Sequence, residues 1–126
     1  MKIILTTIQP DLETELDPRF GRSAYLLVVD PHTMEWQAEP NTGAGAGGGA
    51  GVHAAQLVSK LQAQAVISGH FGPNAFDALC SAGVEMYQFG NYRTAREAIQ
   101  GFLEGKLLVV SAATRGEGHS RGQFRV

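Results

Sequence analysis

The stretch GAGAGGGAGVHAAQLVSKLQAQAVIS, residues 43–68, places a glycine-rich run, an apolar helical pattern and a short strand in direct succession. Six of the nine residues from Gly43 to Gly51 are glycine. Apolar residues then recur near helical spacing over 50–62, and 65–68 (AVIS) has the composition of a buried strand. This order predicts an α/β fold in which a glycine-rich loop opens a helix that returns to a sheet.

The same alternation of strand and helix continues on both sides of this stretch. A second helix is predicted to begin at Pro73 and end at Gly83, and a third to run from Thr94, with Glu97 as its capping-box partner, to about residue 103. The order β-β-β-α-β-α-β-α predicts a three-layer α/β/α fold with a mixed sheet of about five strands, the opening hairpin forming an antiparallel edge. The strands are predicted at 2–8, 24–29, 34–38, 65–68 and 84–88.

The composition limits the function classes. The chain has 126 residues, 44% of them hydrophobic, which suits one domain, and its net charge of −2 gives no basic excess for nucleic acid or an anionic membrane. No apolar run is long enough to span a membrane, and the first residues lack the pattern of a signal peptide. The single cysteine, Cys80, excludes an internal disulfide, fits a cytoplasmic protein, and is expected to be a buried structural thiol on an apolar helix face.

The chain divides into a domain over 1–107 and a basic C-terminal tail over 108–126. Residues 107–110 (LLVV) either add a strand or simply pack on the domain. The tail beyond 114 is expected to be mobile, since it carries Arg115, Arg121 and Arg125 against the lone acid Glu117.

A binding site for a small anion is predicted at the carboxyl ends of the parallel strands. The loops at 69–74 and 88–93 and the start of the first helix converge there, and helix N-termini with free amides receive anions. Arg19 and Arg22 follow the first strand and add positive charge. The alternatives are a flexible glycine loop and surface ion pairs of the arginines with Asp17 or Asp30.

Histidines are the candidate nitrogen ligands of this site. His70 ends a strand beside a helix N-terminus and is the best candidate, while His53 lies in the first turns of the helix after the glycines. His32 is expected on the surface of the far hairpin, and the position of His119 depends on the tail. No nucleophile–base grouping or carboxylate pair stands out, so the sequence does not predict an enzyme.

Four motifs, found in order over residues 1–107, give the chain a family resemblance. They are 17–22 (DPRFGR), 47–51 (GGGAG), 69–75 (GHFGPNA) and 98–107 (AIQGFLEGKL). Together they resemble the dinitrogenase iron–molybdenum cofactor biosynthesis family of NifX/NafY-like proteins.

The resemblance implies an RNase H-like fold without nuclease activity and a carrier that binds an anionic metal–sulfur cluster noncovalently. The form of the first motif resembles a branch of the family that holds a molybdenum–copper sulfide cluster; an iron–molybdenum cluster is the other candidate. Some carriers have His where this chain has Arg19, which implies capture by charge and hydrogen bonds without direct metal ligation. Protein partners in cluster delivery are implied as well.

Mapped onto this sequence, the resemblance and the predicted crevice give one set of candidate cluster-binding residues. Aromatic rings are included because they would cover sulfur faces, although ordinary core packing accounts for them equally well; Phe89 is a third such ring. The candidates are Arg19, Phe20, Arg22, Gly47, Gly48, Gly49, His53, His70, Phe71 and Asn74. Competing hypotheses are a small phosphate- or nucleotide-binding enzyme that uses the glycine loop, and a protein-interaction module.

Overall fold

The computed structural model describes residues 1–114, in which one mixed sheet carries helices on both faces. Three α-helices and one 3-10 turn accompany six strands. The helices are α1 (Ala50–Lys60), α2 (Pro73–Ser81) and α3 (Ala95–Leu103), and the turn is Phe20–Arg22. The strands are β1 (Ile3–Thr7), β2 (Tyr25–Val29), β3 (Trp36–Pro40), β4 (Ala65–Ser68), β5 (Glu85–Gln88) and β6 (Leu108–Val109).

The sheet order is β3-β2-β1-β4-β5-β6. β1, β4 and β5 are parallel, whereas β2, β3 and β6 run antiparallel to their neighbours. The three-layer mixed sheet is therefore confirmed, with six strands instead of about five, because residues 108–109 pair with β5. The predicted tail over 108–126 therefore begins too early, since Leu108 and Val109 belong to the sheet; its residues 115–126 lie outside the described residues.

Two apolar cores lie on opposite faces of the sheet, because successive strand residues point to opposite sides. On β1, Ile4 belongs to the core beneath α1 and α2, while Ile3 and Leu5 belong to the core beneath α3. All five residues of β1 are buried, as expected for a central strand. Within residues 1–114, no helix has the length and apolarity needed to cross a membrane.

The helix ends follow the predicted signals. Pro73 opens α2, Gly83 follows it at φ +73°, and Thr94 and Glu97 form a complete capping box on α3. The predicted burial of Cys80 is wrong, since its side chain is exposed. Ala75 and Leu79 take the inward positions of α2, and the next residue is rotated by about 100° toward solvent.

The third strand begins two residues later than predicted. The turn after β2 extends through Met34, whose φ of 66° is left-handed and incompatible with a strand. Trp36 then begins β3, and this residue is 42% exposed.

Candidate functional site

A cavity of about 420 Å³ lies at the carboxyl end of β4, where three segments meet. One wall is the turn over 19–22, the second is the start of α1 at 49–52, and the third is formed by His70 and by 72–75 at the start of α2. This volume falls in the range of pockets that hold small ligands. The predicted crevice therefore exists, but the loop over 88–93 is not among the described residues that line it.

Close backbone contacts fix the relative position of the three walls. A Cβ on Gly21 would lie 2.7 Å from the backbone nitrogen of Gly51, and a Cβ on Gly51 would lie 3.1 Å from the Cβ of Ala75. Glycine is required at 21 because the turn and α1 touch through their main chains. The walls thus form one packed unit.

Both helices that open onto the pocket begin without a side-chain cap. α1 starts after Gly49, in left-handed conformation at φ 76°, and α2 after Gly72; neither helix has an acidic residue in its first turn. The first amides of each helix have no intrahelical acceptor, and they carry the positive end of the helix dipole. α3, on the opposite face, has its first amides satisfied: the Thr94 hydroxyl accepts the Glu97 amide, and the Thr14 and Leu12 oxygens accept the Ala95 and Arg96 amides. The pocket therefore has two open, electropositive helix ends.

Arg19 lines the pocket while its guanidinium is paired with Asp17. Nε and Nη2 of Arg19 donate to the two carboxylate oxygens at 3.1 and 2.9 Å, and the Arg19 amide donates to Oδ1 at 2.9 Å. These hydrogen bonds, and the attraction between the charges, raise the pKa of Arg19. Asp17 was expected only as an alternative surface partner of the arginines, whereas in the structure it is buried, with 5% exposure. Its place in the 17–22 motif is the signal that could have marked it.

Arg22 also lines the pocket, but its contacts are with the glycine-rich loop. Its Nη1 donates to the backbone oxygens of Ala44 and Ala46. Four loop glycines have no atom within 4 Å of the point where a Cβ would lie: Gly45, Gly47, Gly48 and Gly49. Of these, Gly49 lines the cavity, whereas Gly47 and Gly48 are exposed beside it. Arg22 thus connects the glycine-rich loop to the pocket wall. The backbone of that loop has open space around it.

The histidines occupy different places. His70 lines the pocket, and its backbone amide donates to the Pro18 oxygen at 2.9 Å. His53 is outside the lining; its Nε2 lies 2.9 Å from the Thr42 hydroxyl, and its ring occupies the space where a Cβ on Gly43 would lie. His32 is exposed in the hairpin turn, as predicted. His119 lies outside the described residues.

The aromatic candidates are mostly core. Phe20 forms part of the pocket wall, although it is only 2% exposed, and its ring centroid lies 5.3 Å from that of the fully buried Phe71. Phe89 packs on the core beneath α3. Asn74, in the first turn of α2, is exposed and lines the pocket. Only Phe20 among the three rings is placed to face a ligand.

A larger cavity of about 760 Å³ lies at the opposite end of the sheet, between the first residues and the β2–β3 hairpin. Asp30 and Glu35 line it together with Lys2. No helix of residues 1–114 begins there, and the two carboxylates offset the positive charges of Lys2 and the Met1 amino group. It therefore lacks the anion-binding features of the smaller pocket.

The fold and the pocket define a small α/β protein that presents an electropositive crevice without a grouped set of metal ligands in residues 1–114. The chain belongs to the family described as dinitrogenase iron-molybdenum cofactor, whose model matches residues 1–105. No curated protein sequence matches it significantly.

Among the solved structures that share this fold, two are similar over nearly their whole length and at least 30% identical to this chain. The apo form of the orange protein from Desulfovibrio gigas is 36% identical, with a TM-score of 0.86 over 90% of this chain and 96% of that one. A putative NifB protein from Thermotoga is 30% identical, with a TM-score of 0.78 over 91% and 97% of the two chains. The predicted family and fold class are thus confirmed.

Proposed function

We propose that this protein binds and carries an anionic metal–sulfur cluster noncovalently in the pocket between the 19–22 turn, α1 and α2. The observation that carries the proposal is the pair of uncapped helix N-termini that open onto one cavity beside two arginines. No carboxylate is among the described lining residues. Such a site stabilises negative charge through amide dipoles and guanidinium hydrogen bonds.

The character of the walls favours a cluster with soft sulfur surfaces over a strongly hydrated anion. Phe20, Val52, Pro73 and Ala75 contribute apolar surface next to the donors. Sulfide faces are weakly hydrated, so apolar contact costs them less than it costs an oxyanion. We infer that hydrogen bonds and charge hold the cluster, with His70 the best candidate if a single metal ligand exists.

The family name and the resemblance offer two cargoes, an iron–molybdenum cluster and a molybdenum–copper sulfide cluster. We propose the second as the first to test, because residues 17–22 keep the form DPRFGR. We further propose a cytoplasmic, non-enzymatic carrier or assembly scaffold that passes the cluster to partner proteins. The RNase H-like classification stays a prediction from the resemblance.

The test is uptake of tetrathiomolybdate with and without copper(I), followed by gel filtration, visible absorption and elemental analysis of the protein fraction. We expect charge-transfer bands that co-elute with the protein and a fixed molybdenum-to-protein ratio. The double variant Arg19→Gln/Arg22→Gln should lose uptake. Arg96→Gln is the matched control, because Arg96 pairs with Glu13 on the surface and is outside the pocket lining. Equal uptake by both variants would contradict the site assignment.

A phosphate- or nucleotide-binding enzyme is the second candidate, since uncapped helix N-termini also suit phosphate groups. It predicts that a nucleotide or inorganic phosphate raises the unfolding temperature; a ligand at 100 times its Kd stabilises by about 2.7 kcal/mol. Stabilisation by thiomolybdate but not by these compounds would favour the carrier.

A further inference from the structure

A buried carboxylate lies directly behind the proposed anion pocket. The Asp17 side chain is 6% exposed, and it accepts three hydrogen bonds from Arg19, whose side chain is 58% exposed and lines the pocket. A negative charge in this position repels any anion in the pocket.

The backbone around Asp17 is fixed by the ends of β1 and β4. Its amide donates to the Thr6 oxygen at 2.8 Å, and its own backbone oxygen accepts the Thr6 hydroxyl at 2.6 Å. The Thr6 hydroxyl also lies 2.7 Å from that of Ser68, and the next backbone oxygen, of Pro18, accepts the His70 amide. Asp17 is thus held by the sheet and cannot follow a moving arginine.

This arrangement determines what Arg19 offers to a ligand. A guanidinium has five N–H donors, and the Asp17 carboxylate takes two of them. The remaining N–H donors of Arg19 are held in a fixed orientation. The charge of its guanidinium is largely compensated by the Asp17 carboxylate. Such a group donates hydrogen bonds at little entropic cost, but it attracts anions weakly through net charge.

We propose that Asp17 is a selectivity residue, which makes the pocket accept weakly hydrated sulfide anions and reject strongly hydrated oxyanions; this inference rests on the proposed function. An oxyanion must give up strong hydration, and an Arg19 compensated by Asp17 repays less of that cost than an uncompensated guanidinium would. A thiometallate gives up less, so directed hydrogen bonds and apolar contact suffice.

Tetrathiomolybdate and molybdate test this inference, because both are tetrahedral dianions that differ in sulfur and oxygen. Their Kd values would be measured by equilibrium dialysis for the wild type, Asp17→Asn and Asp30→Asn. Asp30→Asn removes the same charge at the far hairpin, where Oδ1 accepts two backbone amides that an Asn oxygen can also accept. Thermal unfolding of each variant establishes that it is folded.

We expect the wild type to favour tetrathiomolybdate by at least about tenfold, and Asp17→Asn to reduce that ratio by about tenfold. Loss of the Asp17 charge favours both dianions, but molybdate gains more, because it is the smaller ion and its oxygens accept stronger hydrogen bonds from the uncompensated guanidinium. Asp30→Asn should keep the wild-type ratio. An unchanged ratio in Asp17→Asn, or an equal loss of both anions, overturns the selectivity role while leaving the carrier function intact. Absence of thiomolybdate binding in the wild type overturns both proposals.

Arg22→Gln provides a second measurement if Asp17→Asn does not fold, because the described residues give Arg22 no carboxylate partner and its charge alone would make anion binding depend on salt. In this variant Arg19 is the pocket arginine that remains, and its compensation by Asp17 predicts that the Kd for tetrathiomolybdate changes little between low and physiological salt. A steep salt dependence in Arg22→Gln would contradict the compensation and with it the proposal.

Discussion

Gly21→Ala should destabilise the protein and impair the pocket together, because this glycine is where the 19–22 turn touches α1. The added Cβ would lie 2.7 Å from the nitrogen and 2.8 Å from the Cα of Gly51. Both are backbone atoms, which cannot rotate away as a flexible side chain does. The turn or the first residues of α1 must therefore shift.

The expected magnitude follows from two opposing effects. Overpacking of this kind costs about 1–3 kcal/mol. Replacing glycine with alanine also restricts the unfolded chain, which returns about 0.4–1 kcal/mol. The net loss is about 1–2 kcal/mol, or a fall of about 4–8 °C in unfolding temperature at roughly 4 °C per kcal/mol for a chain of this size.

Gly45→Ala is the matched control, since no atom lies within 4 Å of its Cβ position. It should unfold at the wild-type temperature or slightly above it. Thermal unfolding by circular dichroism compares the two variants, and thiomolybdate uptake at a temperature where both are folded reports on the pocket. Equal unfolding temperatures for Gly21→Ala and Gly45→Ala would refute the argument that backbone contact requires glycine at 21.

Three further predictions concern other parts of the molecule. Thr114→Val removes the hydroxyl that accepts the buried Phe71 amide at 2.7 Å, and should cost about 1–3 kcal/mol in denaturant unfolding, whereas Thr114→Ser should cost less. The exposed Cys80 should react with a thiol reagent in the native protein as fast as in urea; strong protection in the native state would contradict its exposure. The amides of Arg93 and Thr94 lower the pKa of Glu97 below 4.5, so its stabilising effect is complete above that pH and is lost as the pH falls through the folded-state pKa. Glu97→Gln should therefore flatten the acid limb of a stability–pH curve, and an identical limb in both proteins would exclude this role.

Local signals predicted most of the fold. The capping box at Thr94 and Glu97, the proline at the start of α2 and the runs of β-branched residues each act within a few residues, so one sequence is enough to read them. β6 is different, because two residues acquire strand structure only by pairing with β5, about twenty positions earlier in the chain. For this reason the sequence could not decide whether residues 107–110 add a strand or simply pack on the domain.

The candidate site was harder to predict than the fold, since its polar contacts join distant segments. The sequence placed Arg19 and Arg22 near a glycine-rich loop, but the bonds from Arg22 to the oxygens of Ala44 and Ala46 depend on how that loop folds back. The proposed role of Asp17 depends on its burial, which an aspartate in a polar connection does not indicate; the 17–22 motif marks the position but not the burial.

The glycines of 43–51 differ in what they contact, and this difference bears on function. Gly43 and Gly51 face the His53 ring and Ala75, so packing explains them. Gly45, Gly47 and Gly48 face open space at ordinary φ, where alanine would add about 0.4–1 kcal/mol each by restricting the unfolded chain. Glycine at these positions would be expected if the loop were freely flexible. However, Arg22 donates to the loop backbone and so connects the loop to the pocket wall. The loop therefore holds backbone without side chains beside an electropositive cavity. An anion can approach such backbone closely.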